Sequence, residues 1–435
     1  MIRNIVVVII VLFTSVAFFG QRTNSSPYSY FGIGDEFSTT TVEQSSMGGI
    51  GVAFSHYKYL NFTNPAAYAN LRYTIYGFGL LNNDLTIKSE TTKQNSTSTT
   101  LSYIALAFPI GEKAGFSFGM QPISSVGYSL TNSTLDASGN TTEISLFEGN
   151  GGVNRFYGSF GINVFKGLSL GIEGDFSFGN IENSIANQRF NVSLATKYRE
   201  NTNIRGGSVK FGAQYQQVLK NKMILTGGAT VKLGNDLNVK GESLTYSLTF
   251  TGGGSEFVRD TLVDQNGDKL TTINADFRLP IKTTLGAGIG ELDKWYAGLE
   301  YQNQDAISTT GLLSNTTGAY RYGKTNRISL GGFYLPKINS ISSYWNRVTY
   351  RAGLRYENTG LLVDGSGNNS NFTEIKDFGI SFGLGLPLKR LSTVNMGFEF
   401  GKRGTIQNNL IQENYFNFRL SLSLTDSWFV KRKID

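Results

Sequence analysis

From residue 72 onward the chain alternates apolar and polar residues, segment after segment, and this two-residue period is the strongest constraint on its fold. In "VNMGFEFGKR", Val394, Met396, Phe398 and Phe400 share one face, opposite Asn395, Gly397, Glu399 and Gly401. "FGISFGLGL" sets Phe378, Ile380, Phe382, Leu384 and Leu386 against Gly379, Ser381, Gly383 and Gly385. "AGFSFGM" and "FNFRLSLSL" repeat the pattern. Side chains that point alternately to two faces make a strand. The segments extend for about 10 residues or more, the length that crosses a bilayer when tilted. Their apolar faces are rich in aromatics, and their polar faces carry Gly and Ser as well as charge. A soluble sandwich alternates too, but open sheets of this length leave unpaired edges, and closure removes them.

The expected fold is all-β, a transmembrane antiparallel barrel of about fourteen strands. The strands are expected near 72–89, 96–110, 114–131, 153–166, 167–185, 203–219, 222–240, 277–290, 294–306, 319–335, 346–363, 372–387, 393–404 and 414–425. Connections after most even strands are tight, as in "FKGL", "LKNKM" and "ELDK". Those after odd strands are mostly long and polar, as in "TNSTLDASGNTTEISLFEGNGG" and "GESLTYSLTFTGGGSEFVRDTLVDQNGDKLTTIN". Short turns at one end and long loops at the other match an outer-membrane barrel with periplasmic turns. Parity then places both termini in the periplasm of a Gram-negative cell.

The first residues, "MIRNIVVVIIVLFTSVAFFGQ", combine Arg3, a short apolar core and Ser15-Val16-Ala17, the pattern of a secretory signal peptide over 1–20. No later segment offers about 18 consecutive apolar residues, so no transmembrane helix is expected. Among 435 residues there is no Cys, which excludes disulfides, thiolate nucleophiles and thiolate metal sites. The net charge of +7 does not point to nucleic acid in an exported chain; the strands themselves account for it. In "RVTYRAGLRYE", Arg347, Arg351 and Arg355 alternate with Val348, Tyr350, Ala352 and Leu354. An arginine on the lipid face at the midplane costs roughly 2–4 kcal/mol. These arginines are therefore expected in the lumen, with Arg321 and Arg327 of the tenth strand, facing carboxylates such as Glu399.

No motif carries chemistry. His56 is the only histidine, and no nucleophile elbow accompanies it. "MGGIGVAF" lacks the strand–turn–helix unit of a dinucleotide site, and "DQNGDKL" lacks the closing Glu of a calcium loop. The expectation is no enzyme, no cofactor and no metal.

The segment before the barrel ends in "NPAAYANL", and Pro122 interrupts the third strand within "FGMQPISSVGY". With these features and the strand count, the chain resembles the FadL-type outer-membrane transporters of long-chain fatty acids and other hydrophobic compounds. Asn64, Pro65 and Ala66 match a motif of that family's N-terminal hatch. The resemblance implies a hatch over 21–71, a barrel over 72–425 and a basic tail over 426–435. It also implies a hatch movement at Asn64–Ala66 beside an inward kink at Pro122, where a lateral opening releases ligand into the membrane. Strand three gains this role because a proline lacks the ladder N–H. The implied partners are outer-membrane lipid and a hydrophobic small molecule, handled by a monomeric barrel. Related barrels also serve type IX secretion, so the alternative is an accessory subunit of an outer-membrane secretion or assembly machine, with a protein-complex partner.

Overall fold

The computed structural model describes residues 25–426, apart from 251–254, 264–266, 268, 311–319, 367 and 389–391. The expected signal peptide, and all of the basic tail beyond Asp426, lie outside the described residues.

Among the described residues, fourteen antiparallel strands close into a barrel. They are β1 (Thr74–Lys88), β2 (Lys93–Ile110), β3 (Ala114–Leu135), β4 (Thr141–Phe165), β5 (Leu168–Arg189), β6 (Ala195–Val218), β7 (Met223–Lys232), β8 (Lys282–Glu291), β9 (Trp295–Gln304), β10 (Thr325–Tyr334), β11 (Thr349–Asp364), β12 (Phe372–Pro387), β13 (Thr393–Gly404) and β14 (Gln412–Asp426). Each pairs with the next, and β14 returns to β1 from Thr74↔Asp426 to Lys88↔Gln412. The four shortest, β7 to β10, are 10 residues each, the minimum for a tilted crossing.

Several expected boundaries shift. The expected seventh strand, 222–240, breaks after Lys232; Asn235–Phe250 then leaves β7 and pairs with the far half of β6. The two long "loops" are largely strand. β3 and β4 continue beyond the barrel to Leu135 and Thr141, and Asn235–Phe250 pairs with Glu256–Thr261 and Leu270–Leu279. The ribbon Asn235–Phe250 keeps the two-residue period at its start, with Leu237 and Val239 buried on one face and Asp236, Asn238, Lys240 and Glu242 exposed on the other. Farther along it, Tyr246 and Leu248 pack on Ala195.

The outward face is apolar around the ring. Phe118, Phe156, Phe211, Leu285, Leu330 and Phe382 are between 46 % and 55 % exposed. A contiguous apolar band of this extent suits a hydrocarbon surround rather than water. The inward face is polar, and residues 25–73 fill the space it encloses. This inner segment contains three short helical turns, Pro27–Tyr30, Val42–Ser45 and Pro65–Asn70. Thr41 starts the second with a capping box that includes Gln44.

Candidate functional site

The inner segment lies directly on the wall. A Cβ added at Gly161, Gly171, Gly212, Gly228, Gly331 or Gly353 would come closer than 3.0 Å to inner-segment atoms, mostly backbone. These glycines belong to β4, β5, β6, β7, β10 and β11, so the contact runs far around the ring. Polar-face glycines in the sequence therefore mark backbone touching backbone. Side-chain bonds add to this seal. Glu300 accepts the N–H groups of Gly51 and Val52, both at 2.8 Å. Ser381 Oγ accepts Gly48 N–H at 2.9 Å. Lys210 Nζ donates to the Phe62 carbonyl at 2.8 Å. Arg403 holds Asp35 at 2.6 Å.

The Asn64-Pro65-Ala66 motif is a knot in this seal. Asn64 Oδ1 accepts the Ala66 N–H at 3.0 Å and so caps the turn Pro65–Asn70, with Pro65 at its first position. Asn64 Nδ2 donates to the Val52 carbonyl at 2.7 Å and to the Ala213 carbonyl of β6 at 3.0 Å. Ala66 is fully buried, with its backbone where a Cβ of Gly171 would lie.

The third strand runs unbroken from Ala114 to Leu135 through Pro122; what is interrupted is its pairing. β2 and β3 pair from Ile110↔Ala114 to Ile104↔Met120, and the ladder stops there. On one side of the stop, the β1–β2 register shifts past Ser102. On the other, the β3–β4 register shifts between Pro122 and Ser124. Five consecutive β3 residues, Ser124 to Tyr128, are then buried while still paired with β4, so both faces are covered and alternation is lost. The freed edge of β3 is taken by the inner segment, with Asp35↔Ser125 and Glu36↔Ser124 paired. A seam results, with β2 on one side and the augmented β3 on the other.

The residues beside this seam are Ile33 to Phe37, not the expected Asn64–Ala66. Ser124 Oγ donates to the Ile33 carbonyl at 2.8 Å, and Phe37 N–H to the Ile123 carbonyl at 2.9 Å. The motif packs on Gly161, whereas Pro122 pairs with Asn154, roughly 20 Å further along β4 at about 3.3 Å per residue. Both lie on the same side of the barrel, at different heights.

The lumen charges divide. Arg327 faces Glu300 at 3.4 Å, and Arg351 donates to Asn395 at 3.1 Å. Arg355 joins Glu357, Asp377 and Glu399 at 2.8, 3.0 and 3.1 Å, and Glu399 also holds Arg419 at 2.6 Å. Arg321 and Arg347 do not belong to the lumen. Arg321 sits on the separate strand Tyr320–Tyr322, whose break from β10 at Gly323-Lys324 changes the phase; it is exposed, 3.9 Å from the Phe372 ring centre. Arg347 ends a helical turn before β11 and is exposed against Tyr344. A second cluster was not among the expected arginines: Arg155 meets Glu173 and Asp175 at 3.1 and 3.6 Å, and Lys210 meets Glu173 at 2.9 Å. Its signal was the charge on polar faces in "GIEGDF" and "SVKFG".

Two internal cavities, of about 250 and 160 Å³, are lined largely by charged and polar groups; Leu81 and Leu85 contribute an apolar side to the larger, which also meets Arg355 and Arg419. Apolar residues of the far mouth, including Val126, Ile204, Leu237 and Phe277, pack against Ile33 as a core.

At the short-turn end, His56 Nε2 lies 3.3 Å from Asp293 Oδ1, and the Tyr57 hydroxyl approaches both Asp293 oxygens at 3.0 Å. His56 Nδ1 accepts Lys58 N–H at 3.4 Å, which leaves the proton on Nε2 facing Asp293. Burial, with the charges of Lys58 and Arg351, holds the imidazole below its usual value against the pull of Asp293. Burial alone would raise Asp293; its bonds to His56 and Tyr57 and the nearby Lys58 outweigh that and keep it below the usual carboxylate range.

A family model described as BamG matches residues 1–435. The chain belongs to the BamG family. Comparison with curated proteins found no match for this BamG-family chain. Among solved structures it resembles a Pseudomonas aeruginosa FadL homologue (TM-score 0.59, 12% identity, 89% of this chain and 98% of that one). It also resembles the Ralstonia pickettii toluene transporter TbuX (0.57, 14%, 88% and 98%) and the Pseudomonas putida toluene transporter TodX (0.55, 14%, 90% and 99%). At these identities the BamG-family chain shares their fold: a FadL-like fourteen-stranded barrel.

Proposed function

We propose that this BamG-family barrel is an outer-membrane channel for passive uptake of hydrophobic small molecules, such as long-chain fatty acids. In this reading 1–20 is a signal peptide, 21–71 a hatch, 72–425 a monomeric barrel and 426–435 a tail, with both termini periplasmic. The observation that carries it is the seam where β2–β3 pairing stops at Ile104↔Met120. A wall that opens sideways gives a hydrophobic compound a route into the bilayer without crossing the charged lumen. The cavity beside Leu81 and Leu85 offers an apolar side to a ligand, while its guanidinium groups at Arg355 and Arg419 are already held by Glu357, Asp377 and Glu399. The part of the hatch placed to gate the seam is Asp35–Phe37, while Asn64–Ala66 anchors it. TbuX and TodX, toluene transporters of the same fold, fit this compound class.

The test is entry of a fluorescent fatty acid into liposomes that contain the purified protein. Faster entry than in protein-free liposomes supports uptake, and equal rates count against it.

A second reading is favoured by a separate observation, the ring of wall glycines pressed on the inner segment. A plug sealed in this way suits a rigid accessory subunit of an outer-membrane secretion or assembly machine. Affinity purification of tagged protein in mild detergent separates the two. A stoichiometric large partner supports the subunit; co-purified lipid alone supports uptake.

A further inference from the structure

β6 changes partner part-way along its length. Lys210 pairs with Lys232 of β7, while Arg205 pairs with Asn238 of the strand Asn235–Phe250. Between them the ladder is interrupted, bridged by the Leu233 N–H bond to the Val209 carbonyl at 2.9 Å. The wall is notched on its outer side. Gly207 faces outward there and contributes no side chain. A groove of about 850 Å³ opens at the notch.

One rim of this groove is aromatic. Phe176 is the cross-strand partner of Gly207, and Phe178 is that of Arg205. Phe156, Phe178 and Phe176 stack in a row, 5.3 and 6.4 Å between centroids, and belong to the apolar band. The other rim is polar, with Arg205 beside Asn238 and Asn203 beside Lys240. Neighbouring cations on the ribbons are paired: Arg199 with Glu182 at 2.6 Å, and Arg278 with Asp236 at 2.8 Å. Arg205 and Lys240 are exposed and have no ion pair or hydrogen bond among the described residues. Glu242 closes the groove beyond Lys240 and limits where an anion can sit.

An aromatic row topped by polar and cationic side chains marks the level where hydrocarbon gives way to headgroups. We propose that this groove binds the headgroup of an outer-leaflet lipid that carries phosphate on a sugar. Arg205 and Lys240 take the phosphate by charge-assisted hydrogen bonds. The Asn203 and Asn238 amides, which both donate and accept, take sugar hydroxyls. The acyl chains run down beside Phe176 and Phe178. The groove is larger than a lone phosphate needs, and only a membrane lipid places apolar chains on the aromatic rim. This inference rests on reading the barrel as membrane-spanning with its short turns periplasmic.

The full protein is first mixed with phosphatidylcholine vesicles, and flotation reports insertion. It is then titrated in detergent with a diphosphorylated glucosamine-disaccharide lipid and followed by native mass spectrometry. Wild type is expected to retain the glycolipid in preference to phosphatidylcholine. Arg205→Ala with Lys240→Ala should weaken retention about tenfold or more. Gly207→Trp, which fills the groove and leaves both charges in place, should weaken it as well. Equal retention by wild type and both variants, no retention by wild type, or displacement by inorganic phosphate alone overturns the proposal. Failure to float overturns the membrane reading together with this one. Flotation without glycolipid preference overturns this one only.

Discussion

The carboxylate of Glu300 accepts the Val52 N–H at 2.8 Å, so a wall residue of β9 pins a turn of the inner segment. Glu300 also takes Gly51 N–H and faces Arg327. Glu300→Ala leaves two buried N–H groups and a buried guanidinium without this acceptor. Removing one partner of a buried pair costs about 3–5 kcal/mol. The expected outcome is protease access to residues 25–73 and a lower unfolding temperature, read by limited digestion and by heat-shifted gel migration. Glu300→Gln keeps an acceptor and should lose less.

The contact between Gly171 and the Pro65-Ala66 backbone gives a sharper contrast. A Cβ at Gly171 meets backbone closer than 3.0 Å, while one at Gly174, three residues along β5, meets nothing within 4 Å. Gly171→Ala should destabilise by about 1–3 kcal/mol through overpacking. Gly174→Ala should be close to neutral. Denaturant titrations of the two variants side by side check this.

His56 and Asp293 predict how the short-turn end responds to acid. The folded imidazole lies below its unfolded value, so the unfolded chain binds the proton first as pH falls. Stability from neutral His56 is fully present above about pH 6.5 and declines below it. Asp293, also held below its ordinary value, contributes above about pH 4 and is lost on further acidification. Backbone hydrogen exchange over 53–60 should therefore quicken between pH 7.5 and 5.5. His56→Gln should remove that step, because no other histidine is present.

Glu36 and Ser124 offer a lock on the seam. They are opposed partners, and the Phe37–Ile123 bond beside them makes theirs the close, non-hydrogen-bonded kind, with Cα atoms about 4.5 Å apart. That spacing accepts a disulfide, and the chain has no native cysteine to interfere. Glu36→Cys with Ser124→Cys should oxidise quantitatively. If the inner segment gates uptake, liposome entry of fatty acid should drop on oxidation and return on reduction. Unchanged entry in both states argues that Asp35–Phe37 does not move.

Much of the barrel was legible because lipid outside and polar filling inside impose strict alternation, as in β12 and β13, whose bounds match the expected 372–387 and 393–404. Legibility failed where that asymmetry ends. Above the band the polar face no longer lines the lumen and the strands are dense in Ser and Thr, so 241–250 read as loop, and 235–240 as the end of the seventh strand. Arg321 was placed inward because a phase break at Gly323-Lys324 leaves no mark in the period. Pro122 announced an interruption, since its missing N–H is a local fact. Which part of the inner segment would meet that interruption is a long-range fact, and nothing near Asp35-Glu36 signals it. The wall glycines were visible as a pattern, but their reason, close approach of another backbone, appears only in three dimensions.

That close approach also bears on the order of assembly. The wall's inward glycines fit a body already in place, and closure of the ring joins β1 to β14, the first and last strands synthesised. A barrel zipped shut beforehand would have to admit residues 25–73 at the short-turn end, where they join Thr74, and thread Ile33 past the wall to its apolar partners at the far mouth. The fit is that of a mandrel: the strands wrap closely around the inner segment, and the pairing of Thr74 with Asp426 closes the ring over it. Without it, carboxylates such as Glu300 would lose the backbone N–H groups they accept and the wall glycines the backbone they fit.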